Sequence, residues 1–255
     1  MSERVLIDQA DGVLTLTLNR PERKNALTAD MYRSLGGAID AANDDRGVRA
    51  ILIQANGDMF TAGNDVSEFA EIGAGEVLGR PSAAQLLTAL TQARKPLVAA
   101  VHGRAVGIGL TLLLHCDLVY VAETALLSCP FVSLGLVPEA ASSLLLPARI
   151  GHVRAFELFA LGETIDGRTA EAWGIANAAL PAGEVQARAR AAAQALARQP
   201  AAAVGITKAL MRDTPAISRR LDEELVHFYA QLRSPEAKEA FQAFFEKRPA
   251  DFSKI

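Results

Sequence analysis

The sequence predicts a layered α/β fold, and three observations carry the prediction. Short, uncharged, apolar segments of strand length recur along the first two thirds of the chain. A glycine-bearing loop and then a helical pattern follow them, so the order strand, loop, helix repeats. The last third then turns to helix alone. A chain of 255 residues suits one large domain, or one domain with a small appendage. At that size it buries roughly three quarters of its unfolded surface and needs no covalent staples.

The elements follow in order. Val5-Leu-Ile-Asp and Val13-Leu-Thr-Leu-Thr-Leu18 alternate as strands, and Asp11-Gly12 between them is a type I′ hairpin signal. Residues 19–25 form a polar loop. Thr28 is placed to cap a helix over 28–43 that gathers Met31, Leu35, Ala38 and Ile39 on one face. Residues 49–54 read as a short buried strand ended by Asn56-Gly57. Phe60-Thr-Ala-Gly-Asn-Asp65 is a loop entering another helix, and residues 71–81 have the most flexible composition of the chain, with Gly73, Gly75, Gly79 and Pro81. A helix over 83–93 precedes a buried strand over 96–101. Gly103-Arg-Ala-Val-Gly107-Ile-Gly109 then leads into an apolar helix expected to reach Cys116, and residues 118–122 are the next strand. From about residue 182 the composition is helical. Segments over 185–198, 201–212, 215–232 and 235–247 follow, with Pro200, Pro215 and Pro235 at helix starts. The expected division is a core over 1–195 and a helical C-terminal region over 196–255.

Composition excludes several classes of function. The net charge is −3 and aromatic residues make up 5% of the chain, so neither phosphate neutralisation nor base stacking on nucleic acid is expected. The four histidines are scattered without metal-ligand spacing, and no metal site is expected. Cys116 and Cys129 are too few for a disulfide framework and read as buried or free thiols. Residues 105–114 are apolar but too short to span a bilayer, so no membrane association is expected. The first residues lack a signal-peptide core, which points to a cytoplasmic protein. The final Ser253-Lys254-Ile255 is close to a peroxisomal address and leaves that location as the alternative.

One carboxylate stands out. Glu139 is the sole charged side chain between Glu123 and Arg149. Pro138 at a first helical position with an acid after it makes a favourable, solvated helix start. The same residue held in a dry pocket is a base. Two loops bear on the choice. Phe60-Thr-Ala-Gly-Asn64 and Ala105-Val-Gly-Ile108 each place a glycine just before a helix start, where N–H groups lack partners. Glycines at such junctions are also ordinary turn chemistry. Two such N–H groups aimed at one point, however, form an oxyanion hole.

Taken together, these segments resemble the crotonase (enoyl-CoA hydratase/isomerase) superfamily. The resemblance is carried by Asn19-Arg-Pro, Phe60-Thr-Ala-Gly-Asn-Asp65, Ala100-Val-His-Gly-Arg-Ala-Val-Gly-Ile-Gly109, Cys116-Asp117, Leu134-Gly-Leu-Val-Pro-Glu139, Gly162 and Ala170-Glu-Ala-Trp-Gly-Ile175. It runs in order over almost the whole chain. It implies a spiral of β-β-α turns with a C-terminal helical trimerisation region, giving homotrimers or dimers of trimers. It also implies an acyl-CoA thioester substrate, whose oxygen the Asn64 and Ile108 N–H groups would hold. No cofactor is implied beyond the coenzyme A of the substrate itself.

Within the superfamily the carboxylates decide the reaction. Hydratases resemble one another in carrying two glutamates, at positions that here hold Thr111 and Phe131. Adding water to a double bond needs a base for the water and a proton for the carbon, and neither residue supplies them as a carboxyl does. The sequence is more similar to peroxisomal-type Δ3,Δ2-enoyl-CoA isomerases, in Gly63-Asn-Asp65, Ala105-Val-Gly-Ile108 with Thr111, Pro130-Phe131 and Pro138-Glu139-Ala-Ala-Ser-Ser143. That likeness implies Glu139 as a single acid–base. It further implies substrate contacts from Lys24, Ala26, Ala62, Phe131, Leu136, Phe244 and Lys247, with Arg23 and Arg248 as further basic candidates for the nucleotide end of coenzyme A. Solvated charge is the alternative for each basic residue. Asp65 and Glu68 read as a helix cap and a solvated acid, and Asp117 as structural. The rival activities are an atypical hydratase and a non-catalytic acyl-CoA-binding protein.

Overall fold

The computed structural model describes residues 4–65 and 82–255. Glu68 and the glycine-rich 71–81 lie outside the described residues. The strands are Val5–Ala10 (β1), Val13–Leu18 (β2), Ala50–Ala55 (β3), Leu97–Val101 (β4), Arg104–Val106 (β5), Leu118–Ala122 (β6), Leu126–Ser128 (β7), Thr164–Asp166 (β8) and Ala178–Leu180 (β9). The helices are Ala29–Asp44 (α1), Ser82–Gln92 (α2), Ile108–Thr111 (α3), Ser142–Ile150 (α4), His152–Ala160 (α5), Gly167–Ala172 (α6), Val185–Arg198 (α7), Ala201–Leu210 (α8), Thr214–Gln231 (α9) and Pro235–Glu246 (α10).

The predicted hairpin is present. Val5 pairs with Leu18 across antiparallel β1 and β2, and Asp11 and Gly12 both take positive φ, 52° and 77°, as a type I′ turn requires. Thr28 caps α1 by accepting from Met31 N. One sheet then runs β1-β2-β3-β4-β6-β9, parallel from β2 onward, and a smaller one runs β5-β7-β8. Strands β3 and β4 are buried along their whole length, which is why they read as continuous apolar runs rather than alternating ones. Helix α7 packs across β3, β4 and β6, while α1 lies along α2.

The small sheet is longer than its named strands. Parallel bridges join Leu27 to Asn64 and Thr61 to Ala105, so successive turns of chain each place a strand in the large sheet and a short extended piece in the small layer. This is a spiral of β-β-α turns, the crotonase-like α/β fold, with a helical region at its C-terminal end. Helix α9 of that region rests on α2 and α4, and α10 rests on the turn Val132–Leu134.

Two helix expectations are corrected. The helix expected to reach Cys116 is α-helical only as α3 and tightens into a 3₁₀ turn at Leu112–His115. Cys116 N bonds Leu113 O and Asp117 N bonds Leu97 O, so the chain is drawn off its helical path to place β6 beside β4. The helix start at Pro138-Glu139 is not formed. Helix α4 begins at Ser142, because Ala140 and Ala141 take left-handed φ of 63° and 54°.

Candidate active site

The two glycine loops meet in the small layer. Thr61 N bonds Arg104 O at 2.9 Å and Val106 N bonds Thr61 O at 3.1 Å. This pairs Thr61 with Ala105, so Gly63 and Gly107 stand at equal offsets from the pair, and so do Asn64 and Ile108. The approach is close because the glycines have no side chains. A Cβ on Gly63 would lie 2.9 Å from Val106 O, and one on Gly109 would lie 2.5 Å from Thr61 Cγ2. Gly107 has φ 55° and ψ −116°, a conformation open essentially to glycine alone. Ile108 is the first residue of α3, so its N–H has no acceptor within the helix. Among the described residues neither the Asn64 nor the Ile108 N–H donates to another group. The Asn64 side chain accepts from Tyr32 OH, which steadies the first loop from α1.

The rim of this loop collects several of the expected contacts. Leu27 N bonds Gly63 O at 2.8 Å, and Ala62 N bonds Lys24 O at 2.9 Å, which brings Lys24, Ala26, Ala62 and Asn64 together. Beneath them Asn25 is buried, its amide donating to Asn56 O at 2.8 Å and Met59 O at 2.9 Å. Lys24 pairs with Asp58 at 2.5 Å. Asp65 pairs with Arg20 at 2.8 Å, and the helix it is expected to cap lies outside the described residues.

Glu139 faces the second loop. It is 5% exposed, and its Oε1 accepts from Thr111 Oγ1 at 2.7 Å. Thr111 lies one helical turn after Ile108, so a single four-residue helix joins the free amide to the buried acid. Burial pushes the Glu139 carboxyl up to about 8; the Thr111 hydroxyl works against this and the charge of Glu224 adds to it. The solvated helix-start reading of Glu139 is therefore excluded, both by its burial and by the position of α4. Phe131 and Leu136 are buried on the segment leading to Glu139, with Leu136 N bonded to Phe131 O at 2.8 Å and the Phe131 ring 6.1 Å from that of Phe159. Thr111 and Phe131 thus occupy their positions as a hydrogen-bond donor and an apolar wall.

Phe244 and Lys247 are exposed at the end of α10, and among the described residues no contact joins them to the other candidates. Arg248 pairs with Glu239 at 2.5 Å and with Glu246 at 2.6 Å. Asp117 is structural: its Oδ2 accepts from Leu97 N at 2.7 Å and from Lys208 Nζ at 2.7 Å. Among the described residues no three His, Cys, Asp or Glu side chains gather as a metal site, and no helix is long and apolar enough to cross a membrane. A cavity of about 730 Å³ opens elsewhere, between Pro96, Leu118, Arg149 and the residues around Lys208 on α8, and shares no lining residue with this site.

Sequence reasoning missed three residues. Thr111 registered there only as a missing acid, not as the partner of Glu139. His115 and Glu224 are buried beside the same segment, and neither entered the candidate set. A signal for Glu224 existed in its helical phase. It falls on the buried face with Ile217, Leu221, Leu225 and Phe228, although its neighbours Asp222 and Glu223 suggest a solvated run.

The enoyl-CoA hydratase/isomerase family model matches residues 8–254. The chain belongs to this family. An enoyl-CoA hydratase/isomerase structure from Pseudoalteromonas atlantica T6c is similar with a TM-score of 0.93 and 39% identity, over 98% of this chain and 100% of that one. A probable enoyl-CoA hydratase of Bacillus subtilis is 34% identical over 94% of this chain and 95% of its own length. The enoyl-CoA delta isomerase 2 of Rattus norvegicus is 31% identical over 97% of this chain and 65% of its own length. This is therefore a crotonase-superfamily acyl-CoA enzyme, and its relatives include both hydratases and isomerases.

Proposed function

We propose that this enzyme is a Δ3,Δ2-enoyl-CoA isomerase that works with Glu139 as its sole acid–base. The observation that carries the reading is a buried carboxyl, bonded by Thr111 and one helical turn from Ile108, with no acid at the two positions where hydratases carry theirs. The Asn64 and Ile108 N–H groups hold the thioester oxygen. Glu139 removes a proton from C2 of a 3-enoyl-CoA; the electron pair spreads into a dienolate whose oxyanion rests on the two amides. The protonated carboxyl then returns its proton to C4, giving the 2-enoyl-CoA, so no water and no second acid are consumed. Dry walls from Phe131 and Leu136 keep the base unsolvated and favour its neutral form after it has taken the proton. Lys24, Ala26 and Ala62 line the coenzyme A side, and Phe244 and Lys247 serve as contacts from the C-terminal helix. The likeness to the rat delta isomerase supports the reading. Coenzyme A enters as part of the substrate, and the working form is a homotrimer or a dimer of trimers.

The test is turnover of 3-hexenoyl-CoA, with crotonyl-CoA hydration as the control. Glu139→Gln is expected to fold and bind acyl-CoA normally while isomerisation falls by about 10²–10⁴. Near-normal isomerisation by that variant sinks the proposal. Substantial hydration of crotonyl-CoA by the wild type selects the hydratase reading. Tight acyl-CoA binding without exchange of C2 protons into heavy water selects a non-catalytic binder.

A further inference from the structure

The turn that follows Glu139 is strained and held from behind. Ala140 and Ala141 both lie in the left-handed region, which is unfavourable for a residue with a Cβ. Such a turn persists only where its surroundings over-determine it. Two buried groups do so. The Ala140 carbonyl accepts from His115 Nε2 at 2.7 Å, and His115 Nδ1 receives Arg212 at 2.6 Å. Burial and the Arg212 charge push His115 down to about 3, so the ring is neutral and donates through Nε2. On the other flank Glu224 of α9, 5% exposed, accepts from Ser143 N at 2.8 Å. Its Oε2 is buried with no partner among the described residues. A buried carboxylate that leaves an oxygen unpaired is costly.

We propose that Glu224 is a positioning residue for Glu139: from α9 it grips the Ser143 N–H just after the left-handed turn and so holds the turn that keeps the Glu139 carboxyl on Thr111. The inference rests on Glu139 as the working base. The charged and titratable groups facing the pair are few. Arg220 on α9 donates to Ser143 Oγ at 3.3 Å and pairs with Glu223 at 3.1 Å. His115 and Arg212 stand on the Ala140 flank, and the Cys129 thiol, pushed up to about 12 by burial and then by Glu139, stays neutral. Glu224 is thus the one buried acid beside Glu139 among the described residues. Burial pushes it up to about 7, and its negative charge adds to the rise of Glu139.

The test uses the full-length protein with carbon-13-labelled glutamate, the Glu139 signal being assigned by its loss in Glu139→Gln. In Glu224→Gln, which keeps an acceptor for the Ser143 amide but removes the charge, the Glu139 titration midpoint is expected to shift to lower pH. In Glu224→Ala the Ser143 amide is expected to lose protection from hydrogen exchange. In that variant kcat is expected to fall about 10–100-fold with KM within about twofold, as for a misplaced catalytic group. An unmoved Glu139 midpoint in the folded Gln variant overturns the proposal, as does amide protection that survives in Glu224→Ala. Both readouts are independent of turnover, so a wild type inactive on 3-enoyl-CoA refutes the isomerase reading without touching this one.

Discussion

At the scale of single residues, Glu139 does its work through burial. An exposed carboxyl is ionised throughout the neutral range and is too weak a base for a C2 proton. Desolvation, the first cause of its shift, makes this carboxyl hold its proton up to about pH 8. Catalysis needs the ionised form to begin, so kcat/KM is expected to rise with pH and level off above about 8, a limb read directly from a pH–rate profile. The stability effect has the opposite sense. A raised carboxyl favours the fold fully below its ordinary value of 4.5, and that contribution is lost as pH rises through about 8. Wild type should therefore lose thermal stability relative to Glu139→Gln between pH 5 and 9. Each kcal/mol of that difference corresponds to about 2–4 °C in Tm.

At the scale of elements, the site is an alignment of two loops. The Thr61–Ala105 pairing sets one register, and everything three positions downstream inherits it. Gly109 is the glycine whose side chain would press directly on the Thr61 pairing, since its Cβ would meet Thr61 Cγ2 at 2.5 Å. Gly109→Ala has an ordinary helical φ available, so backbone strain is absent and the effect is separation of the loops. The expected outcome is a fall in kcat of about 10²-fold, the scale of losing one oxyanion donor, with thermal stability largely kept. Unchanged kcat in a folded Gly109→Ala protein would show that the loop spacing does not govern catalysis.

At the scale of the whole molecule, the C-terminal helices serve two purposes. Arg212 and Glu224 reach inward to the Glu139 turn, and Lys208 locks α8 to the core through Asp117. The same region turns an apolar face outward. Ile206, Leu210 and Met211 are 61%, 83% and 83% exposed, and α8 buries no apolar side chain of its own. Exposed apolar surface of this kind marks a contact face. Sedimentation equilibrium is expected to give three or six copies, and Leu210→Glu with Met211→Glu to shift the distribution toward monomer. A monomeric wild type would refute the proposed assembly.

The sequence alone determined the hairpin, the buried strands, the Thr28 cap, the helical C-terminal region and the family, because each rests on local periodicity, turn chemistry or a motif that survives without its neighbours. It also singled out Glu139 and the two glycine loops. It did not decide whether Glu139 is a solvated acid or a buried one, since Pro-Glu reads as a helix start and the left-handed Ala140-Ala141 turn has no local signature. The partners of that turn, Thr111, His115, Arg212 and Glu224, come from segments far apart in the chain. Only the tertiary structure brings them together, because burial and long-range hydrogen bonds are properties of the packed molecule and not of any stretch of its sequence.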